Sequence, residues 1–215
     1  DSDVGYGGCS DEEILARYHK IVAATGGASV VLGAEPWQNP PVTGMVDQEA
    51  NLWPRRDAMF RAFGLTVAAL KRFLPDGWMP KDDYIFLNSG FIMGPAADLR
   101  WALACAKEQG WWPNHPRSGS YFKDEWDDQR GFHKCMMQHQ DRITIDYTST
   151  LIATMFKLHG SLMDFRDSRV YNRFGQVTQC FMHTDCQFCK GQSFDWGAWM
   201  RWLTRSFNSR SGPAP

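Results

Sequence analysis

The chain has 215 residues, 43% of them hydrophobic, which is enough for one sizeable core and the length of one domain rather than two. Only 22% are charged, and 23 basic against 24 acidic side chains leave a formal charge of −1; this argues against a nucleic-acid partner and against a disordered acidic chain. No apolar run reaches the roughly 20 residues that span a bilayer, so no membrane segment is expected in this chain, and no signal peptide is visible.

Asp1 to Gly8 reads as a strand end followed by a Gly-rich turn. Ser10-Asp11-Glu12-Glu13 has the capping-box pattern, with Ser10 as cap and Glu13 reaching back. Ile14, Leu15, Tyr18, Ile21 and Val22 follow at helical spacing until Gly26-Gly27 stops the helix. Ala28 to Glu35 (ASVVLGAE) is a short apolar run typical of a buried strand. Strand end, helix, strand is part of a βαβ unit and predicts an α/β domain with a parallel sheet.

Pro36 to Pro54 carries Trp37 and Trp53 and reads as a long loop of the kind that forms functional lids. Arg55 to Leu74 is patterned as a helix interrupted by Gly64, and Pro75-Asp76-Gly77 is a turn. Tyr84 to Met93 (YIFLNSGFIM) is a strand broken by Asn88-Ser89-Gly90. A polar triplet ending in Gly inside a buried run marks a bulge or a close approach of backbone to ligand. Pro95 suits the first turn of the next helix, whose stripe is Leu99, Ala102, Leu103 and Ala106.

Gly110 to Ser120 reads as a second irregular loop, with Trp111 and Trp112. Asp124 to Gln138 begins acidic and ends apolar; acids in a first helical turn complement the helix dipole, which is the structural reading of Asp127 and Asp128. Arg142 to Tyr147 and Arg169 to Arg173 read as strands, and Val177 to His183 as a strand ending on a His. Phe194 to Phe207 is amphipathic, and residues 208–215 read as a disordered tail, leaving 1–207 as the domain.

Asp1 and Asp3 could both turn toward one hard cation, and all-oxygen ligation beside a phosphate suits manganese or magnesium; the plain alternative is a solvated terminus. Six cysteines (Cys9, Cys105, Cys135, Cys180, Cys186 and Cys189) fit a disulfide framework, but six allow 15 connectivities. Cys105 and Cys135, on apolar helical faces, read as small buried hydrophobes. Cys180, His183, Cys186 and Cys189 could in number make a zinc site, although Cys180 sits three residues before His183 and would point to the opposite face of a strand.

In order, DSDV, VVLGAE, FLNSGFIMG, DDQ, RITIDY and NRFGQVTQCFMH resemble the glycosyltransferase domain of the procollagen lysyl hydroxylases, over roughly residues 1 to 185. The resemblance implies a GT-A fold, a Rossmann-like mixed sheet flanked by helices, here without the nucleotide-binding half that precedes the acidic motif in that family. It implies manganese-dependent transfer of a hexose from a UDP-sugar to a hydroxyl of a protein or glycan, in the lumen of the endoplasmic reticulum or Golgi. Mapped onto this chain, Asp1, Asp3 and His183 would be metal ligands. Asn88, Ser89 and Gly90 would lie along the donor sugar, with Glu35 and Trp37 in the pocket and Trp53 beside Trp37 as a gate. Asp127, Asp128 and Asp185 would face the sugar or the acceptor hydroxyl. Where the family has His-Gly-Asn-Gly this chain has His183-Thr184-Asp185-Cys186, without the glycines. Two other readings stand beside it: a non-catalytic carbohydrate-binding or scaffold domain, and a zinc-stabilised interaction module.

Overall fold

The computed structural model describes residues 4–35, 52–66, 68–69, 86–113, 124–154, 163–167, 169–183 and 201. Helix α1 (Asp11–Ala24) opens with the full capping box. Ser10 Oγ accepts from the Glu13 amide at 3.2 Å, and the Ser10 amide donates to Glu13 Oε2 at 2.7 Å. Two of the orphan N–H groups of a helix start are thereby satisfied. Tyr18 and Ile21 are its buried residues. At the exit, Gly26 and Gly27 have φ of 76° and 101° in open surroundings, so glycine is needed there for backbone conformation alone.

β1 (Val4–Tyr6) and β2 (Val30–Glu35) flank α1. Among the described residues they do not share a sheet. β1 pairs antiparallel with β11 (Phe181–His183), which pairs parallel with β7 (Ile152–Thr154). β2 lies between β3 (Phe86–Met93), antiparallel, and β6 (Ile143–Ile145), parallel. The domain is therefore mixed α/β with small mixed sheets, and the expected parallel βαβ sheet is corrected. Helical and strand periodicity identify the elements; the neighbours of β1 and β2 come from distant parts of the chain, which local pattern does not encode. The two sheets meet at Gly33, where an added Cβ would lie 3.1 Å from Thr154 Oγ1.

The expected strand over Val177 to His183 is two strands. β10 (Val177–Thr178) pairs with β9 (Arg169–Asn172), which also pairs with β8 (Met163–Arg166). Between β10 and β11 the buried Gln179 turns inward: its Nε2 donates to Phe181 O at 2.9 Å and its Oε1 accepts from Asn172 Nδ2 at 2.9 Å. A buried amide satisfied at both ends breaks the ladder here without leaving orphan groups.

α2 (Trp53–Phe63) closes at Gly64, whose φ is 68°, and Leu65 N returns to Phe60 O at 2.8 Å. Gly64 interrupts the helical pattern as expected: the chain is helical again at 68–69, and 70–74 lie outside the described residues. α3 (Ala96–Gln109) packs on α4 (Asp128–Gln138). The two come very close at Gly131, where a Cβ would fall 2.3 Å from Ala106 O. Cys105 and Cys135 form a disulfide across this contact, and Cys9 is bonded to Cys180. The reading of Cys105 and Cys135 as free buried hydrophobes is corrected: an apolar helical face says that a thiol points inward, not that another lies opposite. Cys180, being bonded, supplies no thiolate to a zinc site. The two disulfides are compatible with an oxidising compartment. Among the described residues no helix is long and apolar enough to cross a membrane.

Trp111 to Pro113, expected in a loop, is strand β4, and it pairs antiparallel with β5 (Asp124–Trp126). The helix expected from Asp124 accordingly starts only at Asp128. After β6 the chain makes a buried polar turn in which Asp146 accepts from Thr148 Oγ1 at 2.7 Å and from the amides of Leu151 at 2.7 Å and Ile152 at 3.1 Å. Burial nevertheless pushes the Asp146 pKa up, against these hydrogen bonds.

Candidate active site

The site forms where β2 ends and β3 bulges. Gly33 pairs with Asn88 and Leu32 with Ile92, so Ser89, Gly90 and Phe91 have no counterpart on β2. This is the bulge expected from Asn88-Ser89-Gly90. Its amides are held by side chains: Gly90 N donates to Asn88 Oδ1 at 3.0 Å, and Ser89 N donates to Gln129 Oε1 at 3.1 Å.

Glu35, the last residue of β2, is only 2% exposed. Its Oε2 accepts from Asn88 Nδ2 at 3.2 Å and its Oε1 from Gln129 Nε2 at 2.7 Å. A buried carboxylate is tolerated only with such donors. Glu35, Asn88 and Ser89 are thus joined in one buried network through Gln129. The reading that singled out Asp127 and Asp128 did not give Gln129 a role. The signal was present in the DDQ run, but an amide that bridges two strands is recognisable only once both strands are placed.

His183 ends β11 and packs on the bulge. A Cβ on Gly90 would fall 2.5 to 2.7 Å from His183 Nε2, Cε1 and Cδ2, so the imidazole fills the space a side chain would need. Beside it Phe91 and Phe181 pack with ring centroids 4.9 Å apart. In the ladder His183 lies opposite Val4, the residue that follows Asp3 in sequence, and beside Thr154. Glu35, Asn88, Ser89, Gly90 and His183 are therefore brought together, with Gln129 between them.

Asp127 caps α4: its Oδ1 accepts from Arg130 N at 2.8 Å, which is the structural role open to it from the sequence. Asp128 is exposed, with Oδ1 accepting from Gln129 N at 2.8 Å. Trp53 is exposed at the start of α2, which packs on α1. Asp1, Asp3, Trp37 and Asp185, with Cys186 and Cys189, lie outside the described residues. Behind the site, His133 is 3% exposed and lies edge-on to Phe86, the partner of Glu35 in the ladder. Burial lowers its pKa to about 4, so it is a neutral core imidazole at physiological pH.

Chemically, the arrangement offers a fixed carboxylate and two amides at the end of a strand, an imidazole over a glycine, and an exposed carboxylate one residue from the bridging amide. The carboxylate and both amides are engaged with one another and with the bulge, so they fix its shape, and Asp128 is the exposed acceptor beside them in sequence. No protein-family model matches the chain, and no curated protein matches it.

Proposed function

We propose that this chain is a GT-A-type glycosyltransferase domain, resembling that of the procollagen lysyl hydroxylases, that transfers a hexose from a UDP-sugar to a hydroxyl of a protein or glycan. The observation that carries the reading is the convergence of Glu35, the Asn88-Ser89-Gly90 bulge, Gln129 and His183, four segments far apart in sequence, at the end of one strand. Ligands of α/β sheets collect at such carboxyl ends.

In this reading Asp1, Asp3 and His183 hold manganese or magnesium, and the nitrogen and carboxylate donor set suits manganese. The register of His183 against Val4 supports the grouping. The bound ion would offset charge developing on the leaving UDP. Asn88, Ser89 and Gly90 lie along the donor sugar, and the buried Glu35 lines the pocket from behind by holding Asn88 and Gln129 in place. Asp127 holds the helix start and so orients Asp128, which with Asp185 accepts a hydrogen bond from the attacking hydroxyl and draws off its proton.

The test is manganese-dependent hydrolysis or transfer of UDP-glucose and UDP-galactose, with Asp3→Ala and His183→Ala as controls. Each control is expected to lose about 100-fold or more, since the ion's contribution is several kcal/mol and each 1.36 kcal/mol is tenfold. Absent turnover, or turnover indifferent to both changes, would remove the reading.

A further inference from the structure

β4 and β5 place Trp111 directly opposite Trp126. Residues directly opposite in an antiparallel pair project from the same face with adjacent Cβ atoms. Trp111 is 53% exposed and Trp126 is 47% exposed, so two large aromatic residues paired in register on one face of the two-stranded sheet are each about half bare. Single exposed apolar side chains need no explanation, but paired large aromatics rimmed by polar groups mark a binding surface.

Trp126 is also fixed. Its Nε1 donates to Lys107 O at 3.1 Å, and a Cβ on Gly110 would lie 2.6 Å from the same nitrogen. The indole is thus anchored by its N–H edge against the end of α3. Asp127 N donates to Gly110 O at 3.1 Å, which ties the hairpin to the start of α4. Two residues past Trp126 is the exposed Asp128, and one further is Gln129, which donates to Glu35.

We infer that Trp111 and Trp126 form a stacking platform for a sugar ring of a glycan acceptor, a proposal that rests on the transferase reading and names its acceptor side. A pyranose has a face of C–H bonds and a rim of hydroxyls. The indole faces take the first, and the Asp128 carboxylate accepts from the second. An anchored ring loses little freedom on binding. A polyproline segment fits less well: its carbonyls have no internal partners and need donors, and the N–H of Trp126 is already engaged. Nucleic acid fits least, because the exposed Asp128, two residues along the chain from Trp126, and a net charge of −1 do not attract phosphate.

The experiment uses the full chain. Binding of lactose, cellobiose and maltose, and of a decaproline peptide, is measured by calorimetry and ligand-observed NMR for the wild type, Trp111→Ala and Trp126→Ala. UDP binding with manganese is measured in parallel. At least one disaccharide is expected to bind, at least tenfold more weakly to each variant, with UDP affinity changed less than twofold. Disaccharide binding absent from the wild type, disaccharide binding undiminished in the variants, or decaproline binding in its place overturns the proposal. Trp111→Ala, which removes the more exposed ring, decides the matter if Trp126→Ala does not fold. A chain that binds disaccharide through these tryptophans but not UDP keeps the platform and loses the transferase reading; UDP binding without any disaccharide does the reverse.

Discussion

Gln129 reaches across 94 residues of sequence to donate a 2.7 Å hydrogen bond to Glu35. Its other amide atom accepts from the backbone of Ser89. Both ends of one side chain are used, and a glutamate cannot do this because it has no donor at neutral pH. Gln129→Ala is expected to cost about 2 kcal/mol, the range for a hydrogen bond to a charged group. Gln129→Glu is expected to cost on the order of 3 kcal/mol at pH 7, because it sets a second carboxylate against a buried one. Near pH 4 protonation of one of the pair should restore part of that loss. Urea denaturation of wild type and variant at both pH values checks it; a deficit that does not change with pH would contradict the account.

Gly90 should be intolerant of the smallest change. Gly90→Ala drives a methyl group into the His183 ring, which must move. Because His183 is at the end of β11, the expected cost falls on the site more than on the fold: about 1–3 kcal/mol of stability and, on the proposed function, at least tenfold of the manganese-dependent turnover. A variant with wild-type turnover would mean that the ring position does not matter.

His133 gives the fold an acid sensitivity. Its pKa is about 4 when folded, below the ordinary 6.5, through burial. Between those values the unfolded chain holds the extra proton, so stability is complete above about pH 6.5 and falls as pH drops toward 4. The expected loss is about 3 kcal/mol, at 1.36 kcal/mol per unit. His133→Leu should abolish this component of the pH slope. Denaturation curves at pH 7 and pH 4.5 for both proteins check it, and parallel slopes would count against it.

The disulfides should contribute according to loop length. Chain-entropy arguments give about 5 kcal/mol for Cys9–Cys180, separated by 171 residues, and about 4 kcal/mol for Cys105–Cys135, separated by 30. A non-reducing peptide map should recover these two cross-links. Cys9 found joined to any other cysteine would overturn the pairing.

What was legible in the sequence was what is local. The Ser10-to-Glu13 capping box and the Asn88-Ser89-Gly90 bulge are each set by a few neighbouring residues, and both formed as expected. The hairpin of Trp111 to Pro113 with Asp124 to Trp126 was hidden because its strands are only three residues long. The split of Val177 to His183 depends on the buried Gln179, whose partners come from β9, from Leu151 and from β11. The bridging role of Gln129 and both cysteine pairings were hidden for the same reason, since they depend on contacts between segments far apart in the chain.

The bond from Cys9 to Cys180 sets a schedule for biosynthesis. At about 5–20 residues per second, the ribosome takes roughly 10 to 35 s to add the 171 residues between the two cysteines. Throughout that interval β1 has no β11 to pair with, and Cys9 is a thiol without its partner. The strand made first waits for the strand that carries His183. A pulse-labelled nascent chain should therefore keep Cys9 alkylatable until Cys180 has left the exit tunnel, and closure of this one link would report that the segment leading into β11 and His183 has reached β1.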